Sequence, residues 1–164
     1  MKKVLAIVLA LISIFGLAAC GSKEASPAES GSYQYITPDE LKTAVEGENS
    51  YILLDVRKAE DYASNHIVGS YSADVDSTVS GEDDDTSKSN IKTALSQATD
   101  SETGNPDDKY VLICYSGKRY AEAATGFMVE MGVPASNIYT LEGGMKAWSN
   151  GGDAYNALLE GSAN

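Results

Sequence analysis

One of the two cysteines in the chain begins a segment that could do chemistry, Cys114-Tyr115-Ser116-Gly117-Lys118-Arg119. An apolar run precedes the segment and a helical pattern follows it, which predicts a loop between a buried strand and a helix. Gly117 lets the backbone turn so that successive amides point inward, and the first amides of the helix have no intrahelical acceptor. With Lys118 and Arg119, these groups would bind an anion and favour the thiolate of Cys114, the form that attacks.

The alternative is a cysteine that only packs at the end of a strand and is followed by a basic helix start. It fits the sequence less well, because acidic residues are favoured at helix N-termini and cations are not. Two adjacent cations there, in a chain whose net charge is −12, break a local rule. Such exceptions are typical of functional sites.

The elements that must position this loop alternate between apolar strands and helices. Residues 51–56, 110–113 and 138–141 are short apolar runs typical of buried strands. Apolar residues recur at helical spacing over 120–131. The alternation predicts one α/β domain with a central parallel sheet and helices on both faces. Ligands of such sheets bind beyond the carboxyl ends of the strands, where Cys114 stands.

The remaining segments give weaker signals. Thr37, Pro38 and Glu40 form a helix start with a capping box. We expect residues 77–88, which contain the acidic stretch 82–85, to be a mobile loop, and residues 90–98 to be helical. The acidic stretch lacks the spacing of a calcium loop, which favours a solvated loop and gives no metal site.

The first residues are typical of an export signal. Lys2 and Lys3 precede an apolar run over residues 4–17, which is short for a membrane span. The run ends in Leu17-Ala18-Ala19-Cys20-Gly21, which resembles the lipobox of bacterial lipoproteins. That resemblance implies cleavage after residue 19, lipid on Cys20, and a domain anchored to the cell membrane that faces outward or into the periplasm.

The sequence then divides into four parts. Residues 1–19 are the predicted signal peptide, and residues 20–32, rich in Gly, Ser, Ala and Pro, are a predicted flexible tether. The folded domain is expected over 33–152, with a C-terminal tail over 153–164.

Composition excludes several classes of protein. Twelve Lys and Arg against 24 Asp and Glu argue against a nucleic-acid partner, which needs a basic face. One His and two Cys are too few for a structural Cys/His zinc site. With Cys20 lipidated, Cys114 has no intramolecular disulfide partner. We therefore predict neither a metal nor a cofactor.

Four motifs together resemble a single-domain rhodanese, in the order that the family shows, over about residues 33–152. They are Asp55-Val56-Arg57, His66-Ile67-Val68-Gly69-Ser70, the Cys114 segment and Leu141-Glu142-Gly143-Gly144-Met145-Lys146-Ala147-Trp148. The sequence departs from the family pattern at Asn65, Val68 and Tyr120, where Gly, Pro and Ser are common. We expect Tyr120 to narrow the mouth of the pocket, which affects the choice of acceptor.

The resemblance implies a sulfurtransferase. Cys114 would take the outer sulfur of a donor such as thiosulfate, expel sulfite, and pass the sulfur from a cysteine persulfide to a thiophilic acceptor such as cyanide. The backbone from Tyr115 to Arg119, including Ser116 and Gly117, would hold the donor, with Lys118 and Arg119 as its binding cations. Asp55 and Arg57 would pair and support the loop. The expected partners are small sulfur donors, thiol or cyanide acceptors, and the membrane through lipid on Cys20.

Two alternatives stay open. A cysteine-based phosphatase or arsenate reductase uses a similar loop, but here four residues separate Cys114 from Arg119, one fewer than in the related phosphatases. Ile113 also stands where tyrosine phosphatases place a His. A non-catalytic rhodanese-like binding module is the second alternative, although such modules commonly lack the cysteine. His66, the only histidine, is expected to be structural.

Overall fold

The structure is a computed structural model that describes residues 33–47 and 50–161. The predicted signal peptide, the tether and Cys20 lie outside the described residues. No helix in the described ranges combines the length and apolar character needed to cross a membrane. The elements run in the order β1 (Gln34–Ile36), α1 (Pro38–Glu46), β2 (Tyr51–Asp55), α2 (Ala59–Ser64), β3 (His66–Ile67), β4 (Ser70–Ser72), α3 (Asp76–Ser80), α4 (Asp84–Thr99), β5 (Lys109–Ile113), α5 (Arg119–Glu130), β6 (Ile138–Leu141), α6 (Gly144–Ser149), α7 (Asp153–Asn156) and β7 (Leu159–Glu160).

A parallel sheet forms the centre of the fold. Within the described residues it has five strands in the order β1-β6-β5-β2-β4, and every neighbouring pair is parallel. Asp55, at the end of β2, is in register with Ile113 of β5 and Ser72 of β4, so the ends of these strands meet at one edge. The predicted α/β fold with a central parallel sheet is confirmed.

Helices cover both faces of this sheet because its inner strands are apolar on both sides. Along β5, Leu112 and then Cys114 pack into a core with residues of α4 and α5. Val111 and Ile113, on the opposite face, pack into a second core with residues of α1 and α6. Successive side chains of a strand point to opposite faces, so the position that follows Ile113 turns the cysteine towards the α5 side.

The start of α1 confirms the capping box. The Glu40 amide donates to the Thr37 hydroxyl at 3.2 Å, and the Glu40 carboxylate accepts the Thr37 amide at 2.9 Å. Pro38 occupies the first turn, where its missing N–H leaves no bond unmade.

The prediction of a mobile loop over residues 77–88 is wrong, since α3 and the first turn of α4 occupy it. Asp83 is the N-cap of α4, and its carboxylate accepts the amides of Asp85 and Thr86 at 3.0 Å each. Acidic residues in the first turn also favour the positive end of the helix dipole. The acidic stretch 82–85 therefore belongs to the start of a helix and is not the solvated loop that its composition suggested.

The packed unit also extends beyond residue 152, into the segment predicted as a tail. Tyr155 of α7 is buried against Trp148, whose ring nitrogen donates to the Tyr155 carbonyl at 3.1 Å. Strand β7 then pairs antiparallel with β3, with Leu159 opposite Ile67. This ring packing, the indole hydrogen bond and the strand pairing hold residues 153–160 on the domain.

Candidate active site

The cysteine loop follows β5 directly and surrounds a buried thiol. Cys114 is only 1% exposed, and its Sγ accepts the Gly117 amide at 3.0 Å. Gly117 has a φ of +73°, and a Cβ there would lie 2.7 Å from the carbonyl oxygen of Leu141. Only glycine fits both the left-handed conformation and this close approach. The loop therefore depends on Gly117 to bring a backbone donor to the sulfur.

On the β6 side, the loop packs directly onto the start of α6. The Met145 amide donates to the Cys114 carbonyl at 2.8 Å, and the Lys146 amide donates to the Tyr115 carbonyl at 3.1 Å. A Cβ on Gly144, whose φ is +59°, would lie 2.3 Å from the Cys114 carbonyl oxygen and 2.6 Å from the Ser116 nitrogen. Backbone contacts thus seal this side of the loop.

On the β2 side, the predicted supporting pair forms a buried ion pair. Arg57 Nη2 lies 2.7 Å from an Asp55 carboxylate oxygen and donates to the Asn65 carbonyl at 2.6 Å. Burial raises the pKa of Asp55, and its bonds to Arg57 oppose that rise. The Arg57 guanidinium carbon lies 5.9 Å from the centre of the Tyr115 ring. The pair therefore lies beside the loop, and its role in supporting the loop stays a prediction.

Two tyrosines from opposite ends of the loop meet on the same side. The rings of Tyr115 and Tyr120 form an edge contact with 5.0 Å between their centres. The Tyr115 hydroxyl donates to Asp61, and the Tyr120 hydroxyl donates to Asp76 at 2.5 Å. Burial, and then the bonded carboxylate, raises the pKa of Tyr115 and raises that of Tyr120 to about 12. Both phenols are therefore neutral hydrogen-bond donors around pH 7.

The predicted donor-binding cations differ in their surroundings. Lys118 is exposed, as is Ser116. Arg119 is also exposed, but its Nη2 donates to the carbonyl of Val79 in α3 at 2.9 Å. The structure brings Cys114, Gly117 and the loop backbone together, whereas it shows Arg119 bonded to α3. A role for these two cations in donor binding stays a prediction.

Sequence reasoning missed the carboxylates of the site. Asp61 and Asp76 lie on α2 and α3, and their contacts with the tyrosines span 54 and 44 positions of the chain. No local pattern marks either residue. The unusual Tyr120 was the one available signal, because a large phenol in place of a small side chain needs a partner.

The other candidate residues have structural surroundings. The His66 Nδ1–H donates to the Tyr62 carbonyl at 2.9 Å, and its ring stacks on Tyr62 with 3.9 Å between centres. Across the ranges 33–47 and 50–161, no group of three or more His, Cys, Asp and Glu side chains is placed to hold a metal ion.

Fold and loop together define an α/β protein whose buried cysteine accepts a backbone amide of its own loop at the carboxyl edge of a parallel sheet. A family model described as a rhodanese-like domain matches residues 37–151, and the chain belongs to this family. A search of curated proteins gave no match.

Solved structures agree with this fold. A rhodanese-like domain from Anabaena is 19% identical with a TM-score of 0.55, and the match covers 78% of this chain and 79% of that one. A thiosulfate sulfurtransferase from Pseudomonas aeruginosa is 14% identical with a TM-score of 0.54, covering 80% of this chain and 21% of that one. A yeast protein tyrosine phosphatase of the rhodanese family is 17% identical with a TM-score of 0.56, and the match covers 82% of this chain and 96% of that one. At these identities the similarity concerns the fold alone.

Proposed function

We propose that the protein is a sulfurtransferase that carries sulfane sulfur as a persulfide on Cys114. The Cys114 thiolate attacks the outer sulfur of a donor such as thiosulfate. The bond between the two donor sulfurs breaks, and sulfite leaves with its electron pair. The persulfide then gives its outer sulfur to a small thiophilic acceptor, which regenerates the thiolate.

The hydrogen bond from the Gly117 amide to Sγ is the observation that carries this proposal. A backbone donor fixed before the reaction stabilises negative charge on sulfur without reorganising. The first amides of α5 add positive potential at the same edge, and Lys118 is an exposed cation beside them. This arrangement suits an anionic donor and a negatively charged persulfide, which is why we place both at Cys114.

Intact mass spectrometry of the full chain tests the proposal. After incubation with thiosulfate, the wild-type protein should gain the mass of one sulfur atom on Cys114, and cyanide should remove it again with release of thiocyanate. Cys114→Ala should show neither change while keeping its circular dichroism spectrum. Absence of the added sulfur with thiosulfate and with every other sulfane donor would favour a non-catalytic binding module.

Phosphatase activity is the second candidate, since the yeast neighbour is described as a tyrosine phosphatase. In this chain, however, the Arg119 guanidinium is bonded to the Val79 carbonyl, and a phosphatase needs it for the tetrahedral oxyanion. The loop is also one residue shorter than in the related phosphatases. Turnover of p-nitrophenyl phosphate without any thiosulfate reaction would reverse the assignment.

We further propose that the protein is exported and anchored to the cell membrane by lipid on Cys20. Support for this comes from the lipobox-like sequence alone. Expressed in a bacterial host, the wild-type chain should partition into the detergent phase, and Cys20→Ser should appear in the aqueous phase. Equal partitioning of the two proteins would contradict lipidation.

A further inference from the structure

We propose that Tyr115 and Tyr120 form a tyrosine gate that restricts the sulfur acceptor to small thiophiles and excludes peptide-sized thiols. The tyrosine gate is the ring pair itself, together with the carboxylates of Asp61 and Asp76 that hold it. This inference rests on the proposed sulfur transfer and adds the class of acceptor to it.

Access to the thiol is restricted from the start. Cys114 is 1% exposed, so an acceptor can reach its sulfur only through a narrow opening. The β6 side offers no such opening, because the backbone of Gly144 is packed so closely that even a Cβ would lie 2.3 Å from the Cys114 carbonyl. We place the approach on the side of β2, the other neighbour of β5 in the sheet, with β4 beyond it.

The tyrosine gate stands on that side. Tyr115 is the first residue after the cysteine and Tyr120 is the second residue of α5, so their ring contact connects the two ends of the loop. Both side chains are only partly buried, and Tyr120 packs against the core cluster that contains Cys114, a residue only 1% exposed. The pair is thus in a position to set the width of the opening.

Hydrogen bonds to carboxylates keep each ring in place. Tyr115 bonds to Asp61 of α2 and also accepts the Lys58 amide at 3.3 Å. Tyr120 bonds to Asp76 of α3, whose carboxylate also lies 3.3 Å from the Lys58 ammonium. Bonds between a phenol and an ionised carboxylate are stronger than neutral ones. Two different helices thus hold the tyrosine gate, and neither ring is free to turn aside.

The gate acts on the second half of the reaction. The acceptor thiolate attacks the outer sulfur of the persulfide, and the bond between the two sulfurs breaks. The electron pair of that bond returns to Cys114, while the outer sulfur leaves bonded to the acceptor. The attacking sulfur must come into line with the sulfur–sulfur bond, so any bulk that it carries must pass the two rings. Mercaptoethanol carries little bulk and glutathione carries a tripeptide.

Single-turnover transfer from preloaded protein tests this step. Cys114 is loaded with thiosulfate, excess donor is removed, and the rate at which mercaptoethanol or glutathione removes the sulfur is followed by intact mass. In Tyr120→Ala, the glutathione rate relative to the mercaptoethanol rate should rise about ten-fold, a change typical of pocket size. Tyr120→Phe, which keeps the ring and loses the bond to Asp76, should show a smaller rise. Tyr35→Ala removes an exposed tyrosine of β1 and should leave the ratio unchanged.

A second readout does not require sulfur transfer. The unloaded full chain is treated with N-ethylmaleimide or with the much larger N-pyrenylmaleimide, and modification of the Cys114 peptide is measured by mass spectrometry. Tyr120→Ala should increase the relative rate of the larger reagent about ten-fold. If this rise occurs while thiosulfate does not load Cys114, the two rings restrict access to the thiol, but the proposed function is wrong and acceptor selection falls with it. If the reagent ratio and the acceptor ratio of Tyr120→Ala both equal those of the wild type, the gate is overturned.

Discussion

The two sides of the cysteine loop are built in different ways. On the β6 side, backbone meets backbone, with amides of α6 on the carbonyls of Cys114 and Tyr115 and no room for a side chain on Gly144. On the β2 and β4 side, side chains meet side chains, through one buried ion pair and two phenol–carboxylate bonds.

This difference separates the shape of the loop from its selectivity. Backbone contacts that exclude a Cβ admit few substitutions, so the β6 side preserves the curvature that brings the Gly117 amide to the sulfur. Side chains on the β2 and β4 side can change one at a time without altering that curvature. We therefore expect substitutions on the first side to remove function and stability together, and those on the second to affect them by smaller and separable amounts.

The largest expected effect comes from Gly144→Ala. The new Cβ would meet the Cys114 carbonyl and would require a left-handed conformation, which together cost about 4 kcal/mol of unfolding free energy. Displacing the loop should also lower sulfur transfer about 100-fold. Urea unfolding and the thiosulfate:cyanide assay measure the two effects.

Gly126→Ala is the matched control for this prediction. Gly126 lies within α5, where a Cβ would meet no atom within 4 Å. Alanine in a helix interior is favoured over glycine by up to about 1 kcal/mol, so this variant should be as stable as the wild type or more stable. Similar losses in both variants would contradict the close packing at Gly144.

Arg57→Met tests the ion pair with Asp55, the strongest contact on the β2 and β4 side of the loop. Removing the arginine leaves the Asp55 carboxylate buried without its partner, which should cost about 3 kcal/mol of unfolding free energy. Lys42→Met removes a helical ion pair with Glu46 at the surface and should cost about 0.5 kcal/mol or less. If urea unfolding gave the same cost for both, Asp55 would not depend on Arg57.

Tyr115→Phe should have a smaller effect. It removes the phenol bond to Asp61, a carboxylate that water can still reach, and the longer bond from the Lys58 amide, and should cost about 1 kcal/mol of unfolding free energy. Tyr35→Phe, at an exposed position, serves as the comparison and should change stability little. A Tyr115→Phe protein as stable as the wild type would show that the bond holds the ring without stabilising the fold.

The smallest expected effect is a pH dependence at Asp76. Its bond from Tyr120, followed by Lys58, lowers the pKa of Asp76 below the usual 3.8. Because the folded state favours the ionised carboxylate, Asp76 adds to the free energy of unfolding at any pH above its pKa in the unfolded chain. That contribution is lost as the pH falls through its pKa in the folded state. Between about pH 5 and about pH 3, the wild type should therefore lose slightly more stability than Asp76→Asn. If urea unfolding showed that the wild type and Asp76→Asn lose the same free energy of unfolding over this pH range, this contribution would be contradicted.

Much of the fold was predictable because it depends on local patterns. The apolar runs before Asp55 and Cys114 indicated buried parallel strands, and Thr37 with Glu40 marked the start of α1. The same reasoning was wrong for residues 77–88, where polar composition suggested a loop. There, the cap at Asp83 and the burial of Ser87 and Ile91 favour a helix, and burial is a tertiary property.

By itself, the sequence determined the candidate nucleophile, the glycine that turns the loop, and the family to which these motifs belong, because each depends on neighbouring residues. Only the tertiary structure decided which distant groups surround the loop. Asp61 and Asp76 contact the tyrosines because β2 lies beside β5, with β4 beyond it, and the helices that carry the two carboxylates follow these strands. Arg119 meets Val79 because α3 packs beside α5. The spacing of residues along one strand or helix predicts which of them share a face. It does not predict which element will pack against that face, since this depends on how the whole chain buries its apolar surface.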